Sequence, residues 1–209
     1  MKKALKMIIF VKYIILNICI FASGFGSNFR AIYRAHKKGL IKSNIKLLIS
    51  NNSMCGAVLY AQKHKIAFEH ISSFKYPKAD ELETKMMSVL IKHKIDFIVL
   101  AGYMKKIPDS ILNKYSGRII NIHPALLPAF GGEGMYGLNV HRAVLESGVK
   151  CSGLTIHYVD KEYDNGKIIF QKSVKVEEED DEISLQKKIL KLEHKYYPKI
   201  ISEIEKEYG

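Results

Sequence analysis

Apolar positions along the chain alternate between two rhythms. Tyr13 to Phe21 (YIILNICIF) is a run of β-branched and aromatic residues and predicts a strand. Ser27 to Lys38 carries Phe29, Ile32, Tyr33 and Ala35 at helical spacing, with Gly39 as the stop. Ile45 to Ser50 reads as a strand, and Asn51-Asn52-Ser53 offers an N-cap to a helix over Met54 to His64. A short strand comes next at Ala67 to Ile71, then a helix at Ala79 to His93 with Leu82, Met86, Val89 and Leu90 on one face. Ile95 to Ala101 (IDFIVLA) is almost unbroken in its hydrophobicity, as a central parallel strand covered on both faces would be. Pro108 to Tyr115 predicts a short helix, Arg118 to Asn121 a strand and Gly137 to Glu146 a helix. Cys151 to Tyr158 and Lys167 to Val176 read as a pair of strands joined by a loop. After the acidic loop Glu177 to Asp181, Ile183 to Tyr208 is a long amphipathic helix, with Pro198 as the point where it would bend.

Strand and helix alternating in this way predict an α/β fold: a doubly wound, mostly parallel, Rossmann-like sheet with helices on both faces. Such sheets bind ligands at the carboxyl ends of their strands. Chemistry is therefore expected at residues 22–28, 101–107, 121–128 and 157–166. At 209 residues with 47% hydrophobic content the chain suits one domain with a sizeable core. No repeat or linker divides it. Charged residues make up 26%, which excludes wholesale disorder. The formal charge of +12 favours anionic partners, yet only four of the 33 cations are arginine, the residue best suited to reading bases and phosphates. Nucleic-acid binding is therefore not expected. Three widely spaced cysteines, Cys19, Cys55 and Cys151, form no disulfide framework and favour a reducing, cytoplasmic setting.

The first residues admit two readings. Lys2, Lys3, an apolar run and the small residues Ala22, Ser23 and Gly24 resemble a secretory signal. Against that, Lys12 and Asn17 interrupt the run, and it is too short for a membrane span. A strand entering a glycine-rich turn accounts for both the apolar run and the Ser-Gly-Phe-Gly-Ser-Asn segment after it. Residues 1–12 are thus expected to be a dispensable extension, and 13–209 a single domain.

Several constellations can carry chemistry. Ser23-Gly24-Phe25-Gly26-Ser27-Asn28 links the first strand to the first helix, where backbone N–H groups and the helix dipole favour a phosphate. It lacks the Gly-Lys-Ser/Thr ending of a P-loop and the third glycine of a dinucleotide fingerprint; a plain tight turn is the alternative. A literal GxGxxG at Gly132, Gly134 and Gly137 is preceded by no strand, so a glycine-rich loop over a site is expected instead. Asn121 and His123, two apart at a strand end, point the same way and pair an amide donor with an imidazole. Asp164-Asn165-Gly166 is a turn sequence in its own right, and Asp160 competes with Asp164 for any acid–base role near His157. His36, His64, His70, His93 and His194 are scattered and expected to be structural or surface-placed. No metal-ligand spacing and no serine-hydrolase elbow occurs.

Taken in order, SGFGSN, AGYMKKIP, NIHPALLPAF and HYVDKEYDNGKII resemble the phosphoribosylglycinamide formyltransferase family, over Tyr13 to Glu205. The resemblance implies transfer of a formyl group from 10-formyltetrahydrofolate to the amine of glycinamide ribonucleotide, without a metal, by a monomer or homodimer. It implies that Asn121 holds the formyl oxygen, that His123 is the general acid, and that Asp164 positions His123 and assists proton removal. It assigns the phosphate to Gly26, Ser27 and Asn28 and the ribose hydroxyls to Glu193. It places the folate against Met104, Lys105, Lys106, Ile107, Asn121 and the run Asp160, Lys161, Glu162, Tyr163 and Asp164. The segment Ala-Gly-Tyr-Met-Lys departs from the family's Ala-Gly-Phe-Met-Arg, and a basic folate contact after the third strand aligns only loosely, around Lys78. Formyltetrahydrofolate hydrolase is the alternative, with the same three groups and water as the acceptor. Methionyl-tRNA formyltransferase would need an RNA-binding domain for which there is no room.

Overall fold

The computed structural model describes residues 15–208. The expected extension 1–12 lies outside them, as do Tyr13 and Ile14 of the first predicted strand. Among the described residues seven strands form one sheet: β1 (Asn17–Phe21), β2 (Asn44–Ser50), β3 (Phe68–His70), β4 (Phe97–Leu100), β5 (Ile119–His123), β6 (Cys151–Tyr158) and β7 (Ile168–Lys175). Their order is β3-β2-β1-β4-β5-β6-β7. The first five run parallel; β6 pairs antiparallel with β5, and β7 with β6. The predicted strand pair is thus an antiparallel hairpin on the sheet's edge.

Helices α1 (Ser27–Lys37), α2 (Gly56–Lys63), α5 (Leu138–Glu146) and α6 (Glu182–Glu207) cover one face, and α3 (Ala79–Lys92) and α4 (Asp109–Lys114) the other. The unbroken apolar runs are a consequence of this double cover. In β1, Ile18 and Ile20 enter the core beneath α1 and α6, while Cys19 and Phe21 enter the core beneath α3 and α4. Phe97 and Val99 alternate with Ile98 and Leu100 in β4 in the same way. With α1 and α2 on one side and α3 and α4 on the other, the strand order reverses between β1 and β4. That reversal opens a crevice at the carboxyl edge of the sheet.

One local expectation needs correction. The asparagine-rich segment does not cap α2: the helix begins at Gly56 behind Cys55, which offers it no side-chain hydrogen bond. Asn52 Oδ1 instead accepts from the Met54 N–H at 3.0 Å, closing its own turn before the helix begins. Helix α6 runs its 26 residues without interruption through Pro198. Its N-terminus is held by a reciprocal capping box between Asp181 and Ser184.

Candidate active site

A cavity of about 860 Å³ opens at the carboxyl edge of the sheet. Its walls are the turns after β1, β4, β5 and β6, the glycine-rich loop 132–137, and the inward face of α6. The loop ends are tied to one another. Ser23 Oγ donates to Asn51 Oδ1 at 2.6 Å and accepts the Met104 N–H at 2.9 Å, so one hydroxyl joins the turns after β1, β2 and β4.

One end of the cavity is built by Gly24 to Asn28. Gly26 caps α1 with a φ of 75°, a left-handed conformation suited to glycine. A Cβ there would lie 2.7 Å from that of Ala57, so the loop also packs backbone-close on α2. Asn28 and Glu193 are both buried, and Asn28 Nδ2 donates to Glu193 Oε2 at 2.6 Å. Burial pushes the Glu193 carboxyl up to about 7, against the pull of the Asn28 amide. Two buried polar atoms here, Asn28 Oδ1 and His194 Nε2, have no hydrogen-bond partner among the described residues. His194, expected to be structural or on the surface, in fact lines the cavity one residue after Glu193. Its signal was its place beside an acidic residue on the last helix.

At the other end, four groups converge on one carboxylate. Asp164 sits in a left-handed turn with a φ of 54°. Its Oδ1 lies 3.4 Å from Asn121 Nδ2 and 3.5 Å from His157 Nε2; its Oδ2 lies 3.4 Å from His123 Nδ1 and accepts the Gly132 N–H at 3.1 Å. Burial raises the Asp164 carboxyl. The His157 and His123 rings and the Gly132 N–H outweigh it, and the net position is below the ordinary carboxylate range. His123 is buried, and that burial pulls its imidazole below its ordinary value; Asp164 and the Phe130 carbonyl pull upward, and His157 downward again. The other ring nitrogen of His123, Nε2, lies 2.8 Å from the Phe130 carbonyl oxygen. A carbonyl only accepts, so Nε2 carries the proton, and a second proton on Nδ1 would face the Asp164 carboxylate. His157 Nδ1 donates to the Tyr158 carbonyl at 2.8 Å, and its Nε2 faces both Asn121 Nδ2 at 3.2 Å and Asp164 Oδ1 at 3.5 Å.

The structure brings Asn121, His123 and Asp164 together from a strand end and a distant turn. Asp160, the competing carboxylate, is exposed and accepts the Glu162 N–H within its own loop. Met104, Lys105, Lys106 and Ile107 line the cavity, as do Asp160, Lys161, Glu162 and Tyr163. Gly26, Ser27, Asn28 and Glu193 line its far end. Lys78 does not: it precedes α3 and pairs with Glu81 at 3.1 Å. Sequence reasoning did not assign roles to His157 or to the Phe130 carbonyl. The first ends a strand opposite Asn121, and the pairing Asn121–His157 is visible only once β5 and β6 are in register. Among the described residues no group of three or more His, Cys, Asp or Glu side chains is placed to hold a metal ion, and no helix is long and apolar enough to cross a membrane.

Residues 16–201 match the family described as formyl transferase. The chain is 43% identical over 189 residues to the chloroplastic phosphoribosylglycinamide formyltransferase of Arabidopsis thaliana, covering 90% of this chain and 65% of that protein, less than two thirds of its length. To the phosphoribosylglycinamide formyltransferase of Bacillus subtilis it is 40% identical, over 90% of this chain and 94% of the relative. Among solved structures, the phosphoribosylglycinamide formyltransferase of Bacillus halodurans superimposes with a TM-score of 0.84 at 38% identity, covering 90% of this chain and 94% of that one. A formyltetrahydrofolate deformylase from Pseudomonas syringae is 23% identical with a TM-score of 0.78, a likeness of fold alone.

Proposed function

The chain belongs to the formyl transferase family, and from that premise we propose that it moves the formyl group of 10-formyltetrahydrofolate to the amine of glycinamide ribonucleotide. Formylglycinamide ribonucleotide and tetrahydrofolate are the products, and the step belongs to purine synthesis. The observation that carries the reading is the meeting of Asn121, His123 and Asp164 at one end of a cavity whose other end is a glycine-rich turn facing a buried glutamate.

The reaction needs three things of these residues. The attacking nitrogen bonds to the formyl carbon, and the carbonyl oxygen becomes an oxyanion; the Asn121 amide N–H and the His123 ring stabilise it. The amine becomes an ammonium on attack and must lose a proton; Asp164, held ionised by its neighbours, accepts it. The bond from carbon to the folate nitrogen then breaks, and the proton passes through His123 to that nitrogen. His123 Nδ1 and Asp164 Oδ2, 3.4 Å apart, form the path between acceptor and donor.

Gly26 and Ser27 offer backbone N–H groups at the start of α1 to the phosphate, and the unpartnered His194 Nε2 adds a further contact. An ionised Glu193 accepts hydrogen bonds from the ribose hydroxyls. The pterin end of the folate lies along Met104 to Ile107 and Asp160 to Asp164, with Lys105, Lys106 and Lys161 near its anionic tail. Residues 13–209 act as one catalytic unit, and the three free cysteines suit a cytoplasmic setting.

The test is turnover of formyltetrahydrofolate by purified protein, with glycinamide ribonucleotide or water as the acceptor. Release of tetrahydrofolate is expected only with the ribonucleotide, and His123→Ala and Asp164→Asn are expected to lose roughly three orders of magnitude in kcat while unfolding as the parent does. Deformylation at full rate without the ribonucleotide would make the protein a hydrolase.

A further inference from the structure

The segment just after His123 is pinned by two side chains that do not line the cavity. Thr155, in the middle of β6, is fully buried. Its hydroxyl donates to the Ala125 carbonyl at 2.7 Å and accepts the Leu127 N–H at 3.0 Å. Gln171 of β7 donates through Nε2 to Thr155 Oγ1 at 2.9 Å and to the Leu127 carbonyl at 3.0 Å. One donor and two acceptors exhaust what a threonine hydroxyl offers. Three backbone groups of the loop, one from Ala125 and both from Leu127, are thus held by two side chains of the edge hairpin.

Backbone packing adds to this. A Cβ on Gly153 would lie 2.8 Å from the Leu126 side chain and would collide with the Lys172 carbonyl, so β6 is cut back where the loop and β7 meet. On the far side, the pinned Leu127 packs on Gly131, where a Cβ would lie 2.5 Å from Leu127 Cδ2 and 3.1 Å from Asp164 Cβ. Between these contacts lies Phe130, whose φ of 57° is unusual for an aromatic residue and requires surrounding structure to maintain it. In that conformation its carbonyl reaches His123 Nε2.

We propose that Thr155 and Gln171 are positioning residues for His123: they clamp Ala125 to Leu127 so that Phe130 holds its carbonyl oxygen on the imidazole. This rests on the reading of His123 as the acid–base group of formyl transfer. The clamp fixes the ring's tautomer, because a carbonyl at Nε2 keeps the proton there and leaves Nδ1 as the edge that exchanges protons. Three charged or titratable groups also bear on the ring: Asp164 at Nδ1, the His157 imidazole, and the buried His141 of α5. Thr155 touches none of them through a side-chain hydrogen bond, so its loss should act on His123 through the loop.

The experiment compares Thr155→Val, which keeps the shape and removes the hydroxyl, with Thr155→Ser, which restores it. NMR titration of the His123 ring, assigned by its absence in His123→Ala, reads the substrate-free protein; kcat and both KM values read turnover. Thr155→Val is expected to lower the His123 titration midpoint, because the Phe130 carbonyl favours the charged ring, and to reduce kcat about tenfold with KM values within about twofold. Thr155→Ser is expected to restore both. If Thr155→Val does not fold, Gln171→Ala, which leaves both Thr155–loop bonds in place, is expected to move the midpoint in the same direction by less. An unmoved His123 midpoint in a folded variant, or a Thr155→Ser that behaves as Thr155→Val does, overturns the clamp. The titration needs no turnover. A shifted midpoint in a protein that transfers no formyl group would retain the clamp and sink the activity, whereas an active parent with an unmoved midpoint would do the reverse.

Discussion

The ribose contact proposed for Glu193 needs a different charge state from the one that favours stability. It is buried, touches Asn28, and stands at about 7 where an exposed glutamate would ionise near 4.5. A folded-state value above the unfolded one means the native protein holds the proton more tightly between those two pH values. Its stabilising contribution is therefore complete below about pH 4.5 and is lost as pH rises through about 7. Glu193→Gln, which stays neutral, is expected to melt about 5 °C above the parent at pH 8 and to show a smaller advantage at pH 5. Binding runs the other way, since only the ionised carboxylate accepts from two ribose hydroxyls. KM for the ribonucleotide is expected to rise in the parent as pH falls below about 7, and to be high and flat in Glu193→Gln. A parent KM that does not change between pH 8 and pH 6 would remove Glu193 from the ribose.

In the function proposed for this chain, the turn between β1 and α1 binds through its backbone shape. Gly26→Ala would force a side chain into a left-handed conformation and bring a Cβ within 2.7 Å of Ala57. The atoms it would meet belong to the start of α2 and cannot rotate away. The variant is expected to lose about 2–3 kcal/mol of stability and to raise KM for the ribonucleotide far more than KM for the folate, measured by denaturant unfolding and by steady-state kinetics. This turn was legible in the sequence because everything it needs is local: a β-branched run, two glycines and an amphipathic helix. Asn121 and His123 were legible for the same reason, since a strand's period of two sets both on one face. The absence of a cap at Asn51 to Ser53 was not legible, because Asn52 serves a turn and a helix cap equally well by composition. His157 and the Phe130 carbonyl belong to a different class. Their partners lie 36 and 7 residues away: the first pairing exists only once the antiparallel β6 has joined the parallel sheet, and the second only once the loop after β5 has turned back with Phe130 in its left-handed conformation.

Across the whole molecule, the two edges of the sheet do different work, and α6 spans both. At the carboxyl edge it supplies Glu193 and His194 to the cavity; a turn later, Tyr197 donates its buried hydroxyl to the carbonyls of Leu100 at 2.8 Å, the last residue of β4, and of Ile120 at 3.3 Å, within β5. Near its C-terminus α6 reaches the amino edge, where Glu205 is buried among backbone donors. Its carboxylate accepts the Lys42 N–H at 2.8 Å, the Ser43 N–H at 2.9 Å and the Ser43 hydroxyl at 2.7 Å, just before β2 begins. Ser43 Oγ in turn accepts the Leu16 N–H at 3.3 Å, so the same cluster fixes the start of β1. Removing one buried acceptor deprives three donors of their partner, two of them on the buried Ser43. Glu205→Ala is expected to lower stability by about 3 kcal/mol or more, and to leave kcat and both KM values within about twofold of the parent at temperatures where the variant is folded. Tyr197→Phe is the contrasting change at the other edge. It removes the hydroxyl that bonds the Leu100 and Ile120 carbonyls beside Asn121, so its smaller loss of stability should come with a fall in kcat. If Glu205→Ala instead loses kcat at temperatures well below its melting point, the two edges are coupled through α6, and the division of labour proposed for this helix is wrong.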